Sequence, residues 1–406
     1  MIVGIKITMK KITYKLFFLI ALFIFMFFLH PLSRYALSKE FVWEKNYGGI
    51  KADISAEVIL SDEKNFFIVG ETSSKGTGNS DAWVLKLDEE GNILWDKTYG
   101  GEENDGAFSI VEVEDHSYII CGYTWSKGKG KNDGWVFKID QNGKVLWERT
   151  FGDNSTDTLF SIIKSNDGKY VAVGRTNSKG AGTSDAWVLK LDEEGNILWD
   201  KTYGREENDG AFSIVEVEDH SYIICGYTWS KGNGKDDGWI FKIDRNGKVL
   251  WERTFGKGDR DRLYSLIRDY DKGYVAVGYT DRVFCSLCSE QGYVWVIKID
   301  KTGEQIWENK FGGSAYDMAY DLIQHKEGGY AIVAKTRDKL KETSVAWLLK
   351  LDQKGNIEDK IVINGDKDNY FKSIIKSKDE EYYIVTGDTW SKSLGSSDIW
   401  LMKLTK

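Results

Sequence analysis

The sequence predicts an all-β chain, a seven-bladed β-propeller of four-stranded antiparallel blades. Three observations lead there. One motif recurs at a near-constant spacing, each repeat divides into four strand-like runs, and the two ends of the array are complementary fragments of one unit.

The motif is W-x-x-K-[LI]-D. It occurs at WVLKLD (83–88), WVFKID (135–140), WVLKLD (187–192), WIFKID (239–244), WVIKID (295–300) and WLLKLD (347–352), and a seventh copy, WLMKLT, begins at Trp400. Successive Trp are 52, 52, 52, 56, 52 and 53 residues apart. A fixed period near 50 marks a propeller or an open array. The block DAWVLKLDEEGNILWDKTYG at 81–100 returns letter for letter at 185–204, an offset of 104 residues or two periods. Copying of a pair of units explains that identity without any appeal to function.

Each unit reads as four strands, named A to D. Strand A is AFSIVEV (107–113) and strand B is YIICGYT (118–124). Strand B is apolar throughout, as expected of a strand covered on both faces. Strand C, GWVFKID (134–140), and strand D, VLWERTF (145–151), follow across a turn containing Gly. Along strand C, Trp83, Leu85 and Leu87 alternate with Val84 and Lys86, so the strand has two distinct faces. The D-x-x-G turn supplies the positive φ that a tight hairpin needs.

The ends decide between ring and open stack. FVWEKNYGG (41–49) is a lone strand D, and DIWLMKL (398–404) is a lone strand C. Together they complete one blade. Residues 41–49 are therefore expected to close the ring as the outer strand of the last blade, leaving no free sheet edge. Residues 39–406 form one propeller.

The segment before it is read as targeting. Lys6, Lys10, Lys11 and Lys15 precede an unbroken apolar run from Leu16 to Leu29. The run fits a signal-peptide core and is short for a membrane span. Residues 1–38 are a signal peptide, with Ala36-Leu37-Ser38 offering a cleavage site, or else an uncleaved N-terminal anchor. Either reading places the body outside the cytoplasm, secreted or attached to the cell envelope, with membrane contact through this segment alone. A net charge of −8 and the lack of a basic stripe argue against nucleic-acid binding.

The segment KLDEEGNILWDKTYG (86–100) resembles the repeat of the quinoprotein-like (PQQ-like) β-propellers. It is similar above all to repeat-rich secreted and surface propellers of bacteria and archaea. The resemblance covers residues 41–406 and implies the fold. The quinone-dependent enzymes of that superfamily usually have eight blades and pair the cofactor with a metal and a catalytic acid. This chain has seven repeats and no recognisable equivalent of that site, so no cofactor is expected: neither PQQ nor Ca²⁺ has a site motif behind it.

Candidate functional residues lie where the copies disagree. Thirteen of the 16 Trp repeat on strands C and D and read as packing residues. Trp125, Trp229 and Trp390 instead sit in the B–C loop, in TWSK sequences, with Lys127, Lys231 and Lys392 two residues on. These six are the candidate ligand-binding residues, since an aromatic ring that the architecture does not need can stack on a sugar or anchor a protein. The loop itself, T-x-S-K-G-x-G-x-x-D, ends in Asp81, Asp133, Asp185, Asp237 or Asp398, each expected to accept hydrogen bonds from its own glycine loop.

Asp53, Asp105, Asp157, Asp209, Asp261 and Asp317, with Asn369, stand at the start of strand A in each repeat. They are expected to ring the channel mouth and mainly to cap the D–A turn, a cation site being the lesser alternative. The strand C lysines, Lys86 and its equivalents, are expected to pair with the acids after the strand D Trp, such as Asp96. Cys121 and Cys225 fall at apolar strand B positions. Cys285 and Cys288, in the one lengthened loop, suggest a local disulfide. No catalytic constellation and no metal-ligand spacing stand out.

The expectation is therefore a non-catalytic extracytoplasmic propeller that binds a protein or a polysaccharide through the face bearing the B–C loops. A quinone- or metal-dependent oxidoreductase-like ring is the alternative.

Overall fold

Alternating apolar patterning, Gly turns and β-branched runs produce strands and no helix among the described residues. The structure, a computed structural model, describes residues 41–406 except 233–234, 257–259, 284–290, 314–316 and 338–341. Strand β1 (Phe41–Tyr47) comes first. Strands β2 (Asp53–Leu60), β3 (Phe66–Thr72), β4 (Asp81–Leu87) and β5 (Ile93–Tyr99) are A to D of blade one. Blades two to six repeat the pattern through residue 363, and β26 (Asn369–Lys376), β27 (Tyr382–Thr389) and β28 (Asp398–Thr405) end the chain.

The strands form seven four-stranded antiparallel sheets, and the last has the order β1-β28-β27-β26. The first strand therefore completes the final blade, pairing Tyr47 with Ile399 and Phe41 with Leu404. The seven-bladed ring closes through its N-terminal strand, as the complementary ends require.

The core lies between blades. Seven apolar clusters each combine residues of two neighbours. Strand C shows why. Trp83, Leu85 and Leu87 face blade seven, beside Tyr47, Ile399 and Leu401. Ala82 and Val84 face blade two, beside Ala107, Trp135 and Phe137. The two-faced patterning thus buries the whole strand.

Strand D adds a second seal. Trp95 donates its indole N–H to the Gln141 carbonyl of the next blade at 3.1 Å, and Tyr99 bonds the Gly143 carbonyl at 2.8 Å. Gly143 has φ +74°, and a Cβ there would stand 3.0 Å from the Trp95 ring. The turn glycine thus serves both its own backbone and its neighbour's Trp.

One expectation is corrected. Lys86 lies opposite Trp95, while Asp96 lies opposite Leu85 on the other face. A bulge between Lys86 and Leu87 slips strand D by one residue and reverses its facing. Lys86 reaches Glu63 in the A–B turn at 3.4 Å, and Lys138 and Lys242 reach Asp115 and Asp219 at 2.9 and 2.7 Å. In blade six Asp359 replaces the strand D Trp, and there the lysine opposite, Lys350, does meet a strand D acid, at 3.3 Å.

Candidate functional site

Strand A is innermost, so its start and the B–C loops share one rim of the channel. The loops are laced by carboxylates. Asp133 Oδ2 accepts the Lys129 and Gly130 N–H groups at 2.9 and 2.8 Å, and Asp81 and Asp185 accept Gly78 and Gly182 at 3.0 and 2.9 Å. Burial nonetheless pushes Asp81, Asp133, Asp185 and Asp398 above the ordinary carboxylate range.

The seven residues at the start of strand A are buried beneath the loops. Asp105 accepts from Thr124 Oγ1, from Ser126 Oγ at 2.6 Å and from the Gly101 N–H at 2.9 Å. Asp53, Asp157 and Asp209 sit in the same frame, Asp53 taking Ser74 Oγ at 2.7 Å, Asp157 taking Thr176 Oγ1 and, at 2.5 Å, Ser178 Oγ, and Asp209 taking Ser230 Oγ at 2.5 Å. Asp261 and Asp317 accept Thr280 and Thr336 at 2.5 Å, and Asn369 accepts Thr389 at 2.6 Å. Their backbones reach the previous blade, as in Asp105 N–H to the Ser80 carbonyl at 2.9 Å. These carboxylates tie loop to strand and blade to blade.

Lys127 lies 2.5 Å from Glu148 and 4.9 Å from the Trp135 ring centroid. Lys231 pairs with Glu252 over Trp239, and Lys392 pairs with Glu44 over Trp400. Each loop lysine thus clamps the loop to strands C and D. The three loop Trp stand on blades two, four and seven, none of them adjacent. Trp125 is 43% exposed. Trp229 lies 5.9 Å from the Arg260 guanidinium, and Trp390 lies 5.7 Å from the Tyr370 ring in the channel wall. Cys285 and Cys288 lie outside the described residues; Cys121 and Cys225 are buried and unpaired.

Below the rim lies a feature that the sequence reading missed. Strand A carries a bulge in every blade, for example between Ala107 and Ser109. The bulged residues are Ala56, Phe108, Phe160, Phe212, Tyr264, Tyr320 and Lys372, and all of them line one central cavity of about 320 Å³. Phe108 to Phe160, Phe160 to Phe212 and Phe212 to Tyr264 are 5.4, 5.1 and 5.0 Å between centroids. Tyr264, Tyr320 and Tyr370 continue the collar at 6.0 and 5.9 Å. It opens between Tyr370 and Phe108, where Lys372 and Ala56 stand at the bulge. Aligning the repeats on the strand A Asp shows the signal: three residues on, five blades carry an aromatic and two do not.

The open sector is charged. Lys372 meets Asp388 at 2.7 Å and donates to the Ser55 carbonyl at 2.8 Å, and Ser55 N–H bonds Asp388 at 2.9 Å. Glu71 accepts the Tyr123 hydroxyl at 3.0 Å and leans over Gly106, where a Cβ would come within 2.5 Å of its oxygen. Burial raises the Glu71 pKa. Deeper in the channel, Glu57 accepts the Ile110 N–H at 2.7 Å and Asp321 accepts the Ile374 N–H at 3.0 Å, each latching the next blade. Glu57 is half-buried, and loss of bulk water around its carboxyl raises its pKa to about 7.

A larger groove of about 600 Å³ lies at the opposite rim, around His325, Lys350, Glu358 and Tyr383. Packing explains it. Blade six lacks the strand D Trp, and blade seven has no C–D turn for such a Trp to cover.

The profile of the family described as outer membrane protein assembly factor BamB matches residues 80–321, more than half of the chain. The chain belongs to this family. A curated relative, the regulatory protein FlaEY of Caulobacter vibrioides, is 24% identical over 187 residues, 39% of this chain and 20% of its own length. The matched part thus spans about a fifth of that relative. Among solved structures, the Pan2 WD40 domain of Neurospora crassa aligns with TM-score 0.53 and 12% identity over 90% of this chain and 96% of that one. Sqt1 from Chaetomium thermophilum aligns with TM-score 0.50 and 10% identity over 87% and 86%. At such identities the two structures speak for the propeller fold alone.

Proposed function

We propose that the protein is a non-catalytic binding module of the cell envelope that holds a protein partner, or else a polysaccharide, at the rim bearing the B–C loops. The observation that carries this is the asymmetry of that rim. A ring copied seven times keeps its Trp, Asp and Gly scaffold nearly constant. It varies the collar, the strand B residues above it (Glu71, Tyr123, Arg175, Tyr227, Tyr279, Lys335, Asp388) and the loop Trp. A purely structural ring has no need to break its symmetry there, whereas a binding surface does. The description of the family as an outer-membrane assembly factor supports an envelope setting. Strand β1 begins at the opposite rim, beside Leu404, so a retained N-terminal anchor would leave the B–C rim free.

The test is capture from envelope extracts together with glycan-array binding. Changing Trp125, Trp229 and Trp390 together to Ala should weaken retention at least tenfold with the fold intact. Undiminished retention would move the site off this rim.

A further inference from the structure

The central cavity has a composition of its own: an aromatic wall on one side and an acid at its open sector. The protein already pairs collar and rim aromatics with its own cations. Arg175 lies 5.9 Å from the Phe160 ring, Lys335 lies 4.9 Å from Tyr370, and Arg262 lies 3.9 Å from Tyr227. At blade one the pattern stops. The strand B position that carries Arg175 and Lys335 elsewhere carries Glu71, and the collar residue is Ala56. The nearest lysine, Lys372, is committed to Asp388 and to the Ser55 carbonyl. Among the described residues no ammonium or guanidinium lies within ion-pair distance of Glu71.

We infer that this sector is a receptor for one cationic side chain, lysine or arginine, presented by an extended segment of a partner protein. The inference rests on the reading of the B–C rim as a binding surface. The alkyl stem lies in the space that Ala56 leaves, along Phe108 and Ile54, and the charged head reaches the Glu71 carboxylate. Three features favour such a group. A cation is attracted to ring faces and to a half-buried carboxylate together. The cavity, at about 320 Å³, takes a long side chain and not a folded element. Burial, with the Asp388 charge nearby, raises the Glu71 pKa although Tyr123 and the more distant charge of Lys372 act against it, so a cation in direct contact relieves an unfavourable state. A neutral sugar would leave that carboxylate unneutralised, which is why a protein segment is preferred.

The experiment uses the purified protein and fluorescent Gly/Ser hexapeptides with one central lysine or arginine. The matched peptides carry acetyl-lysine or citrulline. The charged peptides should bind at least tenfold more tightly than their neutral counterparts. Ala56→Phe, which fills the sector with the ring that other blades carry, and Glu71→Gln, which keeps the Tyr123 hydrogen bond, should each remove that preference. Melting temperatures near wild type verify both folds. Equal binding of charged and neutral peptides, or unchanged preference in Ala56→Phe, overturns the inference. Spermidine binding more tightly than either peptide overturns the assignment to a protein partner. Loss of capture in the triple Trp variant alongside indifference to Ala56→Phe would sink this inference while leaving the broader reading in place.

Discussion

Trp400 donates its indole N–H to Glu44 at 3.1 Å, joining the last strand of the chain to the first. The same acid holds Lys392 of the last B–C loop. Trp83 with Asp96 and Lys75 makes this triad inside blade one, so the seam copies an ordinary blade. Deleting residues 41–47 should expose β28 as a bare edge and drive aggregation, read by size-exclusion chromatography. Glu44→Ala should cost about 1–2 kcal/mol, since it strands an indole N–H and a lysine. A truncated chain that stays monomeric with the wild-type melting temperature would contradict closure.

The carboxylate beneath each B–C loop makes a graded prediction. Asp105→Ala leaves Thr124, Ser126 and the Gly101 N–H without their acceptor. Denaturant unfolding should show a loss of roughly 1–3 kcal/mol. Asp105→Asn should cost less, because blade seven already uses Asn369 for the same hydroxyl. Equal costs would show that charge, not acceptance, matters there.

Stability should fall as pH rises through the range where Glu57 ionises. Its folded pKa of about 7 lies above its ordinary value of 4.5, so the folded state holds the proton more tightly. The penalty starts above the unfolded value and is complete above the folded one. It amounts to about 3 kcal/mol. Ser109 and the Ile110 N–H favour the ionised form, while Asp321 opposes it. Glu57→Gln keeps the acceptor for Ile110 and should raise the melting temperature at pH 8 with little change at pH 5. Parallel curves for wild type and variant would remove this account.

Lys231→Met tests the clamp. It breaks a partly buried ion pair with Glu252 and the contact over Trp239. A loss of about 0.5–1 kcal/mol is expected, smaller in high salt. Ligand retention should not change; a tenfold loss of retention with unchanged stability would instead give Lys231 a direct role.

The fold was legible because its cause is periodic. Trp83 and its copies must fill each interface between blades, so they recur at the blade period and show themselves. The lysine pairing was misjudged because one bulged residue near Leu87 reverses the facing of strand D, and no spacing count carries that slip. The collar escaped for a similar reason. Phe108 in AFSIVEV reads as one more core residue, yet the strand A bulge turns it into the channel. Its meaning appears only when seven copies are set around an axis and one of them proves to be Ala56.

The measurement that tests the functional account most directly is position-resolved crosslinking in living cells. A photoreactive phenylalanine analogue is placed at Lys129, exposed in the blade-two B–C loop, at Leu394 in the last B–C loop, 83% exposed, or at Asn142 in a C–D turn of the opposite rim. The account predicts shared adducts from positions 129 and 394 and none from 142. Adducts from position 142 alone would place the partner on the wrong face of the ring and contradict it.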